Sequence, residues 1–279
     1  MSILQCLSAH LMDGITHKDL VRLDRGAVAS AWPHVRETIF AAVEHLQSHL
    51  GVAVSRLLPY PVLLVPFSRF FDKNNLQAAN PEQSAWLRDY FFRASLGNRF
   101  TSGVATRMAG DLLRMGQIAK GQRPVYSEEF RVTTELIASR PFAINGSFSK
   151  AIICLLATQV PKNLNNNGFT KVNNTWLRKA SSKNLHHIFP KAYVKKAKQP
   201  DWDANLVSNI MIAEEYLNQR VIRAKSPKEY MTTLAEVNPG FRESLMTHLI
   251  DEECLKALLA NDYDSFINHR AKLIAEKIK

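Results

Sequence analysis

Apolar residues recur at helical spacing along most of the chain. From Trp32 to Leu50, the positions Val35, Ile39, Phe40, Val43, Leu46 and Leu50 follow the three-and-four rhythm of one buried helix face, and Gly51 supplies the stop. Thr16 can cap a short helix entered by Lys18, Asp19 and Leu20. Pro61 to Phe71 is apolar almost all round, which predicts a core helix that Pro66 either kinks or restarts. Asn80, Pro81 and Glu82 read as a helix start: a capping amide, a proline at the first helical position, then an acid at the positive end of the dipole. That helix runs through Trp86, Tyr90 and Phe91 and breaks near Gly97-Asn98. Thr101 to Gly116 and Ser147 to Val160 are further helices.

The helical rhythm then lapses. Pro161 to Gly168 (PKNLNNNG) is a turn-rich connection. Two short apolar runs follow, Leu185 to Phe189 and Leu206 to Ile212, and each suits a strand better than a helix. Helical character resumes over Glu214 to Ile222 and continues from Pro227 to the end, with Asp264 to Ile278 as the final helix. The pattern predicts a mainly α protein: a helical domain over residues 1–140, then a domain over 141–279 with a small strand, loop, strand, helix element at about 180–222.

Length changes this picture little, since 279 residues suffice for one large or two modest domains with real cores. The longest apolar runs fall far short of the roughly 20 residues that span a bilayer, and Met1 to His10 has no signal-peptide character. The expectation is a soluble protein of the bacterial cytoplasm with no membrane partner. Cys6, Cys154 and Cys254 are scattered without metal-like spacing and read as buried, reduced thiols.

Charge is more informative. The formal net charge is +11, and no acidic residue occurs between Glu135 and Asp201. That interval holds Arg140, Lys150, Lys162, Lys171, Arg178, Lys179, Lys183, Lys191, Lys195, Lys196 and Lys198, while basic and acidic residues balance elsewhere. A basic stretch without carboxylates suits a polyanion, because each cation set against a phosphate releases condensed counterions.

Within that stretch lies Asn184-Leu185-His186-His187-Ile188-Phe189-Pro190, and downstream come Asn209 and Asn218. Adjacent histidines on a short strand that turns at a proline can take different tasks, one on a metal and one on a water. Phosphodiester hydrolysis needs a base for the water, charge neutralisation at the phosphate, and stabilisation of the departing oxygen. A neutral imidazole serves the first at cellular pH, and one divalent ion serves the others. A side-chain amide can orient the imidazole through its second nitrogen.

The stretches HHIFPKAY (His186 to Tyr193), NLVSNIMIAEEYLN (Asn205 to Asn218) and SPKEY (Ser226 to Tyr230) resemble the His-Asn-His (HNH, ββα-metal) nucleases. The likeness is to their DUF1524 branch, found at the C-terminus of DUF262-containing anti-phage restriction proteins of the GmrSD and SspE type. Trp86 to Gly103 (WLRDYFFRASLGNRFTSG) is also similar to the helical region preceding the nuclease in those proteins. The resemblance implies an embedded ββα-metal element in which His187 is the general base, Asn209 positions it, and His186 and Asn218 hold one Mg²⁺ or Mn²⁺ ion. Lys191 is our own addition as a phosphate contact, with Lys195 and Lys183 beside it. Two departures stand out: His186 replaces the Asp or Glu of many relatives, and Asn218 replaces a terminal His. The implied reaction is nicking of double-stranded DNA with little sequence specificity, a double-strand break requiring two encounters or a homodimer. The DUF262 sensor/NTPase domain has no counterpart in these residues, so recognition and gating are expected to lie in that domain or in a partner subunit.

Other readings carry less. Trp86, Tyr90, Phe91, Phe92 and Phe100 could stack bases, but their helical spacing favours core. His34, His45 and His49 share one helix with no third ligand evident, and read as exposed helix surface. The chief alternative is a DNA-binding or scaffolding module with a degenerate nuclease centre. A metal hydrolase acting on a small molecule has no need of the basic stretch.

Overall fold

The computed structural model describes residues 2–127, 130–170, 185–214 and 216–279; for Asn218 it describes the backbone alone. Over the described residues it is mainly helical with one small two-stranded sheet. The chain divides into two compact units, Met1–Phe130 and Arg131–Lys279.

The first unit contains helices α1 (Ser2–Met12), α2 (His17–Val21), α3 (Arg25–Leu50), α4 (Leu64–Lys73), α5 (Pro81–Leu96) and α6 (Val104–Ala119). Helix α3 starts well before Trp32. Asp24 caps it by accepting from the Ala27 N–H, and it runs straight through Pro33. Its first turns are largely exposed, so no apolar rhythm marks them. It ends at Gly51, whose left-handed backbone (φ 67°) a glycine adopts without Cβ strain. The run from Pro61 divides into a 3₁₀ turn, Pro61–Leu63, and α4 proper. Pro66 thus falls in the first turn of α4, where its missing N–H costs no intrahelical bond. Asn80 and Gln83 form a reciprocal capping box at the head of α5.

Helix α4 packs on α1, α3 and α6, and its Val65, Phe67 and Phe70 are fully buried. Tyr90, Phe91, Phe92 and Phe100 join this core, whereas Trp86 stays partly exposed. His45 differs from its expected exposure: it is 5% exposed, packed against Phe67, Phe71 and His49. Burial there pushes the His45 imidazole down to about 4, aided by His49, so it stays neutral in the core.

The second unit contains α7 (Thr134–Ala138), α8 (Ser147–Thr158), β1 (Leu185–His187), α9 (Lys191–Ala197), β2 (Ile210–Ile212), α10 (Pro227–Val237), α11 (Phe241–Met246), α12 (Glu252–Ala260) and α13 (Tyr263–Ile278). Strands β1 and β2 pair antiparallel, with Leu185 opposite Ile212, His186 opposite Met211 and His187 opposite Ile210. Residues 131–140 belong to this unit: α7 lies on α13, and Arg140 O accepts from Val207 N. A π-helical segment, Leu217–Ile222, follows β2. The core gathers Ile188, Phe189, Met211, Leu217, Tyr230, Met231, Leu234 and Phe266 behind the two strands. Cys6, Cys154 and Cys254 are all buried. No helix among the described residues is long and apolar enough to cross a membrane.

Candidate active site

The two strands are short, so the segments beyond them must hold their ends. After His187 the chain turns through Ile188, Phe189 and Pro190 into α9. Phe189 is fully buried, with ring centroids 5.2 Å from Tyr263 and 5.5 Å from Phe266. Burying such a ring stabilises the fold by about 2–3 kcal/mol and fixes the turn to α13. Tyr230 donates its hydroxyl proton to Ile188 O at 2.6 Å.

Asn209 ends the 3₁₀ turn Val207–Asn209 and enters β2 with its side chain fully buried. Its Oδ1 accepts from Phe189 N at 2.8 Å, and its Nδ2 donates to Phe189 O at 3.0 Å and to Ala204 O at 2.8 Å. Its backbone carbonyl accepts from Ile188 N at 2.9 Å. Asn209 therefore splints the turn after His187 through backbone bonds, and its amide is engaged there rather than with the imidazole.

The imidazole has a different amide. His187 Nε2 lies 3.4 Å from Asn205 Oδ1. Asn205 is itself fixed at three points: Nδ2 donates to Phe142 O at 2.8 Å, its carbonyl accepts from Phe142 N at 2.7 Å, and its N–H bonds Asp203 Oδ1 at 2.8 Å. With Nδ2 committed to a carbonyl, Oδ1 must accept, so Nε2 carries the proton. That assignment leaves Nδ1 of neutral His187 with the lone pair a base requires.

Burial lowers the pKa of His187 below the ordinary imidazole value, and the nearby charge of Lys191 lowers it further. The Asn205 bond and Asp203 act in the opposite sense. The imidazole is thus neutral at pH 7; Asn205 and Asp203 favour its cation, and burial and Lys191 outweigh them.

Lys191 opens α9 immediately after Pro190 and is exposed. Lys195, one turn on, is exposed beside it, as are Lys196 and Lys198. Elsewhere in the basic stretch, Lys162 pairs with Glu243 and Arg140 lies over the Phe148 ring at 4.6 Å. Lys183, together with Lys171, Arg178 and Lys179, lies outside the described residues.

His187, Asn205, Asn209 and Lys191 therefore meet around one turn. His186 is 3% exposed, and strand alternation directs it to the face opposite His187. Asn218 lies in the π-helical segment after β2. As a donor set, one imidazole and one amide oxygen are both uncharged. A divalent ion on such a pair would need water and substrate oxygens to complete its shell.

Sequence reasoning missed Asn205, although it opens the NLVSNIMIAEEYLN run. It also missed Arg270, which is fully buried and donates to Ser208 O at 2.6 Å and to His248 O at 3.0 Å. No local signal marks Arg270, which lies within the apolar rhythm of a terminal helix. What the fold and site define is a mainly helical chain whose second unit carries a two-stranded ribbon with an oriented, neutral histidine. No protein-family model matches the chain, and no curated protein matches it significantly.

Proposed function

We propose that the Arg131–Lys279 unit is a metal-dependent DNA endonuclease of the HNH, DUF1524-like type, nicking double-stranded DNA with little sequence specificity. The observation that carries the reading is His187: neutral, oriented through Nε2 by Asn205, and set at the head of a lysine-bearing helix.

In this reading His187 Nδ1 removes a proton from water, and the oxygen attacks phosphorus as the bond to the 3′ oxygen breaks, leaving a 5′ phosphate. Asn205 and Asp203 favour the resulting imidazolium. Asn209 is a positioning residue that fixes the turn carrying the base. Lys191 and Lys195 contact phosphate, and Lys183 is assigned the same task on sequence grounds. His186 and Asn218 would hold one Mg²⁺ or Mn²⁺ ion, and the chemistry such an ion supplies when bound is charge neutralisation at the phosphate and the leaving oxygen. By resemblance, the biological setting is anti-phage defence in the bacterial cytoplasm, gated by a DUF262 sensor domain or subunit. Two copies acting together would convert nicks into a double-strand break.

A second reading, a DNA-binding module with a degenerate centre, draws on one observation: neither assigned ligand is a carboxylate. A supercoiled-plasmid assay with Mg²⁺ or Mn²⁺ separates the two, comparing the native chain with His187→Ala. The nuclease reading expects open circles from the native protein, a loss of about 10²–10⁴-fold in the variant, and unchanged DNA affinity. Equal cleavage by both proteins removes His187 as the base. Binding without cleavage, with or without the sensor partner, favours the module.

A further inference from the structure

Three helices of the first unit direct ligand-bearing side chains at one point. His10 sits near the end of α1, His34 in the first half of α3, and Asp72 near the end of α4. His10 Nδ1 lies 3.0 Å and His34 Nε2 2.9 Å from the same oxygen, Asp72 Oδ1. The two imidazole centroids are 5.2 Å apart, and the three ligand atoms all lie within 4.8 Å of one another.

We propose that His10, His34 and Asp72 form a binding site for a zinc-class first-row transition ion, separate from the nuclease centre. A tetrahedral zinc with bonds of about 2.0–2.1 Å sets its ligand atoms about 3.3 Å apart. The observed separations from Asp72 Oδ1 need to open only by a few tenths of an ångström to admit the ion. Two imidazoles with one carboxylate select Zn²⁺, Co²⁺ or Ni²⁺ over Mg²⁺, which prefers an all-oxygen shell.

The carboxylate is prepared for this task. Asp72 is 8% exposed, and Arg69 bonds its other oxygen, Oδ2, at 3.2 Å, which fixes the plane and leaves Oδ1 facing the imidazoles. Arg69 also pairs with Asp13, whose carboxylate offsets its charge beside the site, and Lys73 lies 3.7 Å from Asp72 Oδ2. His10 and His34 are 28% and 41% exposed, so the fourth position faces solvent and takes water. The Asp251, Cys254 and His269 group is a weaker case, because Asp251 is the cap of α12 and burial pushes the Cys254 thiol up to about 12.

Since the ligands come from α1, α3 and α4, which pack on one another, a bound ion clamps the first unit and raises its unfolding midpoint. The test uses the full chain stripped with chelator, then titrated with Zn²⁺ by calorimetry and assayed for bound metal after dialysis. His34→Ala and His10→Ala are compared with it, and circular dichroism confirms their folds; His17→Ala, at an exposed histidine of the same unit, serves as the control. The expected result is that His10→Ala and His34→Ala each bind one Zn²⁺ fewer per chain and lose the zinc-induced rise in unfolding midpoint, while His17→Ala keeps both. An unchanged zinc stoichiometry in His34→Ala and His10→Ala overturns the proposal, as does absence of zinc binding by the native chain.

Discussion

At the scale of single residues, the 3.4 Å contact between His187 Nε2 and Asn205 Oδ1 decides which imidazole nitrogen is left to act as a base. Two neighbours tune it in opposite directions. Lys191 lowers the proton affinity of His187, and Asn205 raises it. If His187 is the base, the rate falls on the acid side as the ring becomes protonated, with a midpoint below the ordinary imidazole value of about 6.5. Lys191→Ala removes a repelling charge, so the midpoint should move to higher pH. Asn205→Ala removes a bond that favours the cation and also frees the ring to rotate. Its midpoint should move to lower pH, and its plateau rate should fall about tenfold or more. Cleavage rates from pH 5 to 8 under single-turnover conditions measure both shifts. Movement of both midpoints in the same direction would rule out this pairing of roles.

At the scale of elements, the ribbon is only three residues per strand and cannot hold its own register. Its stability comes from long-range side chains bonded to backbone: Asn209 to the turn after β1, Tyr230 to Ile188 O, and Arg270 to Ser208 O. Asn209→Ala leaves three buried backbone groups without those bonds and should cost about 3 kcal/mol. Arg270→Ala leaves the Ser208 and His248 carbonyls buried without their donor, and adds a cavity, for a similar cost of about 3 kcal/mol. Tyr230→Phe should cost only about 1 kcal/mol, since it removes one hydroxyl and keeps the packing. Urea unfolding of the three variants checks that order, and Tyr230→Phe proving the most damaging would contradict it. The same elements explain what the sequence made legible. The strands, the paired histidines and the caps at Thr16 and Asn80 are local patterns with local causes. Asn205 is different, because its meaning depends on Phe142, 63 positions away, and that of Arg270 depends on Ser208, 62 positions away. His45 misled for a related reason: the phenylalanines that bury it come from α4, so its own helix gives no sign of them.

At the scale of the whole molecule, each unit encloses a histidine that the fold keeps neutral. In the first it is His45; in the second it is His248, fully buried with Nε2 2.7 Å from Lys162 O. Burial is the main cause in both, and it pushes each imidazole down to about 4. The bond to Lys162 O works against that shift in His248, while Arg270 reinforces it. The unfolded chain binds a proton at each histidine near the ordinary value of about 6.5, whereas the folded chain resists until about 4. Between those limits the unfolded state carries more protons, so stability falls as pH falls, and each histidine contributes a loss of about 3 kcal/mol when the window is fully crossed. The carboxylates held below their ordinary values, Asp72 and Asp251, begin to weaken the fold only at lower pH. Stability should therefore be fully present above about pH 6.5 and decline steeply toward pH 4.5, with the lowered pKa of His187 acting in the same sense. His248→Gln, which cannot take up a proton, should start from a lower stability at neutral pH and lose less of it on acidification. Denaturant titrations at pH 7.5, 6.0 and 4.5 measure this directly. A native profile that stays flat across the window, or a His248→Gln profile as steep as the native one, would show that these buried imidazoles do not set the acid limit of the fold.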